Sequence, residues 1–84
     1  MTADLARSPK QLGNVIRRHR KRLGLNQSEL GERAGLRQET ISLIETGNPA
    51  VRLDTLLAVL AALNLEFQIA ARSQKRDIED LIGL

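Results

Sequence analysis

Two short helical patterns joined by a tight turn constrain this sequence more than any other feature. The first pattern covers residues 27–34 and the second covers residues 38–46, so only three residues separate them. Gly35 favours the turn because glycine adopts a left-handed backbone conformation without steric cost, and Gly31 is small where the second helix would cross the first. The interior of the pair would be filled by Leu30, Ala34, Leu36, Ile41 and Ile44. The pattern is typical of a helix-turn-helix unit, with an ordinary helical hairpin as the alternative.

A helix is also predicted before this pair. Ser8 can cap it, Pro9 suits its first position, and Gln11 completes a capping box. Apolar residues then recur at helical spacing until Gly24, which predicts a first helix over residues 9–23.

A fourth helix is predicted after the pair, over residues 53–64, and its apolar side chains surround most of its circumference. Such a helix lies centrally in a fold or is shared with a partner. Asn26 and Glu29 form a second capping box at the start of the helix pair. We therefore expect residues 8–64 to form one mainly α-helical domain, preceded by a flexible arm over residues 1–7.

The apolar period changes from helical to alternating after Asn64, which predicts a β-strand over residues 65–71. A lone strand leaves its backbone unpaired, so we expect it to pair with the same strand of a second copy, in a two-stranded sheet of a homodimer. The side chains at this dimer strand would be Leu65, Phe67 and Ile69. We expect residues 72–84 to form a tail or a short fifth helix.

The positive charge of the chain is concentrated near its start. The net charge is only +3, but seven basic residues and no acid occupy the stretch 7–22. A patch of one sign attracts polyanions, most often nucleic acid, and a solvated helix face is the alternative. The seven residues are Arg7, Lys10, Arg17, Arg18, Arg20, Lys21 and Arg22.

The composition excludes several classes of function. Without cysteine there is no disulfide scaffold, cysteine-rich zinc site or cysteine nucleophile, and the single histidine, His19, is expected to pack in the fold. We therefore expect no catalytic residues, no metal and no cofactor. One aromatic residue in 84 gives no platform for single-stranded bases. No apolar run is long enough to span a membrane, so a cytoplasmic protein is expected.

Residues 11–63 resemble the helix-turn-helix family of phage repressors and Cro proteins, and residues 8–71 resemble the HipB-type antitoxins more closely still. The shared features are Ser8-Pro9, Gln11-Leu12, Gln27-Ser28-Glu29-Leu30, Gln38 and Thr40-Ile41-Ser42, with the strand after the fourth helix. The resemblance implies a lambda-repressor-like fold of four to five helices in which the strand builds an intermolecular lid over the dimer.

The same resemblance implies an antitoxin that represses its own operon and binds a HipA-type serine/threonine kinase toxin. A phage-type or metabolic repressor without a toxin is the first alternative. A protein-interaction module that has lost DNA binding is the second, and it predicts weak affinity for DNA with little dependence on sequence. The DNA partner of the two repressor hypotheses would be a double-stranded operator with an inverted repeat.

The outward face of the helix over residues 38–46 supplies the candidate base-reading residues. Its amino end enters the major groove first in this motif, while Ile41 and Ile44 would face the core. Arginine can pair with guanine, glutamine with adenine and glutamate with cytosine, and leucine can contact the thymine methyl group. The candidates are Arg37, Gln38, Glu39, Thr40, Ser42 and Leu43. The alternatives are a helix-dipole role for Glu39 and simple exposure for Leu43.

Contacts to the DNA backbone are expected from a different set of residues. Gln27 and the amide groups that begin its helix are placed to bind a phosphate. Further phosphate candidates, for which plain solvent exposure is the alternative, are Ser28, Arg33, Thr46 and Asn48. By resemblance, Arg20 and Glu45 form a buried ion pair that connects the first helix to the third.

Overall fold

Four helices follow one another in the computed structural model, which describes residues 3–72. They are α1 (Pro9–Arg22), α2 (Gln27–Ala34), α3 (Gln38–Glu45) and α4 (Leu53–Ala62). All four predicted helices are present, in the predicted order. The predicted ends of α1, α3 and α4 are one or two residues too late. At the end of α4 the reason is Asn64, whose φ of 58° is left-handed and stops the helix.

The helix starts follow the predicted capping signals. The Ser8 hydroxyl accepts a hydrogen bond from the Gln11 N–H at 3.1 Å, whereas the Gln11 side chain bonds to the N–H of Arg7 and not to that of Ser8. At α2 the capping box is complete, because Asn26 and Glu29 each accept from the other's backbone N–H, at 2.8 and 2.9 Å. Arg37 precedes α3 without any side-chain cap.

Helix α3 packs against both α1 and α2, and α4 packs against α2. The shared core consists of Ile16, Leu30, Ile41, Ile44, Val59, Leu60 and Leu63. Gly13 brings α1 close to the end of α3, since a Cβ atom there would lie 2.7 Å from the carbonyl oxygen of Glu45. The small size of Gly31 is needed at the turn and not at α3. A Cβ atom at position 31 would lie 2.7 Å from the carbonyl oxygen of Leu36, which is its nearest neighbour.

The segment after α4 contains no strand as far as the structure describes it, to residue 72. The Leu65 N–H bonds to the carbonyl of Leu60, and its side chain packs against the core. Phe67 is 44% exposed and Ile69 is fully exposed. A strand needs a partner chain, so the dimer strand over residues 65–71 stays a prediction. The predicted tail helix lies outside the described residues.

The amino-terminal arm contacts the outer side of α1. An oxygen of Asp4 accepts a hydrogen bond from Arg18 at 3.1 Å, and its other oxygen lies 2.8 Å from Nε2 of His19. His19, which was expected only to pack, therefore also holds the arm. Among the described residues, no helix combines the length and the apolar character needed to cross a membrane.

Candidate nucleic-acid interface

A buried ion pair fixes the carboxyl end of α3 to α1, as the family resemblance implies. Arg20 donates from Nε and Nη2 to the two carboxylate oxygens of Glu45, at 2.7 and 2.9 Å. A third donor, Nη1, bonds to the Leu25 carbonyl at 2.8 Å. The hydrogen bond with Glu45 raises the pKa of Arg20, so the guanidinium stays charged. All of these groups are satisfied, which a buried charge requires.

Two glutamines extend this ion pair to the start of α3. Gln27, the first residue of α2, donates to Glu45 at 3.2 Å, and Gln38, the first residue of α3, donates to the Gln27 oxygen at 2.7 Å. A continuous chain of side-chain hydrogen bonds therefore runs from Arg20 to Gln38. The bond to Gln27 therefore favours one orientation of the exposed Gln38 side chain.

The candidate base-reading residues occupy the exposed side of α3 and its amino end. Arg37, Gln38 and Glu39 are exposed, and Leu43 is 48% exposed. Thr40 and Ser42 are half-buried, so only part of each side chain is available to a ligand. An α-helix with its side chains is about 10–12 Å across, and the major groove of B-DNA is about 12 Å wide. The helix can therefore enter the groove with its exposed side towards the bases.

A shallow cavity of about 210 Å³ lies beside the exposed side of α3. It joins part of that side to the loop before α4. Its lining includes Thr40, Leu43, Asn48 and Arg52. Arg52 was not among the residues predicted from the sequence, because nothing in the local pattern shows that the loop returns to α3.

The predicted phosphate-binding residues do not form one cluster. Arg33 follows Gln27 by six positions, which is about 9 Å along α2. The Thr46 hydroxyl donates to the carbonyls of Ser42 and Leu43, so its proton is used within α3.

Two other predicted phosphate contacts keep their donors. The Asn48 side chain accepts from the Ala50 N–H through its oxygen, and this bond does not engage its amide donor. Ser28 is exposed in the first turn of α2, next to Gln27.

Comparison with known proteins places this geometry in a family. The Helix-turn-helix family model (HTH_3) matches residues 16–69. Antitoxin HipB of Escherichia coli K12 is 36% identical over 62 residues, which are 74% of this chain and 70% of that protein. An uncharacterised helix-turn-helix transcriptional regulator of Methanothermobacter thermautotrophicus is 42% identical over 52 residues, which are 62% of this chain and 75% of that protein.

Solved structures agree with these sequence relatives. A HipB-O4 20mer complex contains a chain that matches with a TM-score of 0.78 and 31% identity, over 84% of this chain and all of that one. A HipA-HipB-O2-O3 complex contains a chain with the same score, identity and coverage. The order of the helices and the path of the backbone are thus shared with HipB. The chain belongs to the helix-turn-helix family and, within it, to the HipB-type antitoxins.

Proposed function

We propose that the chain is a homodimeric, sequence-specific DNA-binding antitoxin that represses its own operon and neutralises a HipA-type serine/threonine kinase. The observation that carries this proposal is the exposed amino end of α3, where Gln38 is held by Gln27 and, through it, by a buried ion pair. Solved complexes of HipB with O4 and with HipA share the backbone of this chain, which supports the same two classes of partner.

In this proposal α3 is the recognition helix. Gln38 pairs with an adenine and Arg37 with a guanine, while Glu39 accepts a hydrogen bond from a cytosine and Leu43 contacts a thymine methyl group. Thr40 and Ser42 present their half-buried hydroxyl groups to the same groove. Each well-formed pair of hydrogen bonds to a base contributes about 1–3 kcal/mol of discrimination.

Contacts to phosphates fix the register of this helix on the duplex. The first amide groups of α2 and the side chains of Gln27 and Ser28 bind one phosphate, since a helix start attracts anions. The side-chain amide of Asn48 donates to a second phosphate, on the other side of α3 from the first phosphate. Arg33 and Thr46 make only auxiliary phosphate contacts in this proposal. Arg33 is far from Gln27, and the Thr46 hydroxyl donates its proton to a carbonyl of α3.

Replacing Gln38 with alanine should reduce operator affinity about tenfold or more while leaving affinity for random DNA nearly unchanged. The variant loses a base contact but no phosphate contact. Fluorescence anisotropy with a labelled duplex from the region upstream of the gene measures both affinities across a salt series, in which binding should weaken steeply as salt rises. Gln11→Ala is the matched control, because it removes the same side chain from α1. Equal losses on operator and random DNA would show that Gln38 reads no base.

Replacing Phe67 with aspartate should convert the dimer into a monomer, because a charge would be placed inside the proposed intermolecular sheet. Light scattering coupled to gel filtration measures the mass, which should fall by half. Gln68→Asp is the control, since a neighbouring residue of a strand points to the opposite face. A dimer that survives Phe67→Asp would exclude these residues as the interface.

A repressor without a toxin partner is the second candidate, and the similarity to the transcriptional regulator of Methanothermobacter thermautotrophicus favours it. The two functions differ in one measurable property. An antitoxin copurifies with the kinase encoded next to it and abolishes kinase activity at equimolar ratio. A repressor binds the operator equally well but leaves such a kinase active. Both bind DNA inside the cell, so a cytoplasmic location is part of either proposal.

A further inference from the structure

The outer face of α1 carries positive groups that point away from α3. Successive residues of an α-helix are about 100° apart, so Arg18 and Arg22, two positions before and after Arg20, both point almost opposite to it. Arg20 points to Glu45, at the end of α3. Arg18, His19 and Arg22, which we call the back face of α1, therefore lie on the side of the helix that faces away from α3, with His19 at its margin.

This position separates the back face of α1 from any duplex bound by α3. Helix α1 packs on the side of α3 that carries Ile44 and Glu45, whereas Glu39 and Leu43 lie on the other, exposed side. None of the base or phosphate contacts proposed above uses Arg18 or Arg22. The charges of the back face are not explained by the proposed DNA contacts.

The back face already binds a carboxylate, which belongs to the chain's own arm. Arg18 donates to one oxygen of Asp4 at 3.1 Å, and Nε2 of His19 lies 2.8 Å from the other. The hydrogen bond with His19 lowers the pKa of Asp4, and the charges of Arg18 and Arg22 act in the same direction. The three basic side chains thus form a site at which an ionised carboxylate is favoured.

Apolar groups lie directly beside this carboxylate site. A shallow cavity of about 470 Å³ there is lined by the apolar Leu5 and Val15 and by four polar or charged residues, Gln11, Asn14, Arg17 and Arg18. Leu5, next to Asp4 in the arm, is 71% exposed. A duplex backbone offers nothing for such apolar side chains, whereas a polypeptide with acidic and apolar side chains complements both parts of the surface.

We infer that the back face of α1 is a docking site for an acidic segment of a protein partner, and that Asp4 occupies this site until the partner displaces it. The partner contributes carboxylates to Arg18, His19 and Arg22 and an apolar side chain to the neighbouring cavity. In an antitoxin this partner would be the kinase. The identity of the partner therefore rests on the proposed function, whereas the chemistry of the site does not.

The test uses the full chain and a fluorescein-labelled peptide of glutamates interspersed with leucines. Reversing two charges in Arg18→Glu/Arg22→Glu should weaken peptide binding about tenfold, since two attractive contacts become repulsive. The control Lys10→Glu/Lys21→Glu changes the net charge equally, at exposed positions of α1 outside the back face and the cavity, and should weaken binding less than about twofold. Circular dichroism verifies that both variants are folded. Equal weakening by both variants would show that only net charge matters and would overturn the inference.

A third variant tests the competition by the arm. Asp4→Asn removes the internal competitor, so peptide affinity should rise about twofold to fivefold. An unchanged or reduced affinity would contradict the displacement of Asp4.

Operator binding measured on the same samples separates the two proposals. A wild-type chain that binds the peptide but no operator contradicts the proposed function alone. If Arg18→Glu/Arg22→Glu weakens operator binding more than the control does and leaves peptide binding intact, the back face belongs to DNA and the inference fails.

Discussion

Replacing Glu45 with alanine should lower the free energy of unfolding by about 3–5 kcal/mol, because it leaves a buried guanidinium without its partner. Arg20 is only 8% exposed, and two of its donors bond to the Glu45 carboxylate. Domains of this size are stable by about 5–15 kcal/mol in total. The variant should therefore unfold at a much lower urea concentration, as measured by far-ultraviolet circular dichroism.

The control for this prediction removes both charges together. In Arg20→Met/Glu45→Leu no charge is left unpaired, and apolar side chains of similar length fill the space, so most of the lost stability should return. A loss below about 1 kcal/mol in Glu45→Ala would instead place the ion pair among the weak, exposed ones.

The double variant also separates stability from the position of α3. Without Glu45, Gln27 loses the acceptor that holds it, and Gln38 loses the support of Gln27. At equal folded fraction, we expect Arg20→Met/Glu45→Leu to bind the operator more weakly than the wild type. Equal affinity would show that the chain of hydrogen bonds does not contribute to recognition.

The helices were predictable because their signals are local. Asn26 and Glu29 lie three residues apart, so the capping box at α2 follows from the sequence alone and is confirmed. The end of α4 was predicted two residues too late, because apolar periodicity does not detect the left-handed backbone of Asn64. The strand over residues 65–71 depends on a second chain and therefore remains a prediction.

The residues of the candidate site were predictable from the sequence, but the hydrogen bonds between their side chains were not. The pattern of buried residues in α3 identifies the exposed side that carries Leu43, and the resemblance implied the pair of Arg20 and Glu45. Nothing in the sequence indicates that Gln38 bonds to Gln27, eleven residues earlier, because that distance is set by the turn and the crossing of two helices. The contact of Asp4 with Arg18 and His19 was missed for a similar reason, since the arm has no periodic pattern.

Gly13 controls how closely α1 approaches the end of α3, and no local pattern around it indicates this role. Glycine in the middle of a helix costs about 1 kcal/mol relative to alanine, so its presence in α1 has to be compensated by packing. The compensation is visible in the structure: a Cβ atom at this position would lie 2.7 Å from the Glu45 carbonyl oxygen, in contact with backbone that cannot rotate away. Any side chain at position 13 therefore has to push the two helices apart.

Replacing Gly13 with valine should lower the free energy of unfolding by about 3 kcal/mol. The inserted side chain would contact the backbone at the carboxyl end of α3 and would strain the ion pair between Glu45 and Arg20. Urea unfolding measures the loss, and the m-value should stay unchanged because the fold is retained. Asn14→Val is the matched control, since it places the same side chain at an exposed position of the same helix and should change stability by less than about 0.5 kcal/mol. If both variants are equally stable, the approach of α1 to α3 at Gly13 does not contribute to stability, and the two helices are held together by the core side chains and by the ion pair of Arg20 and Glu45.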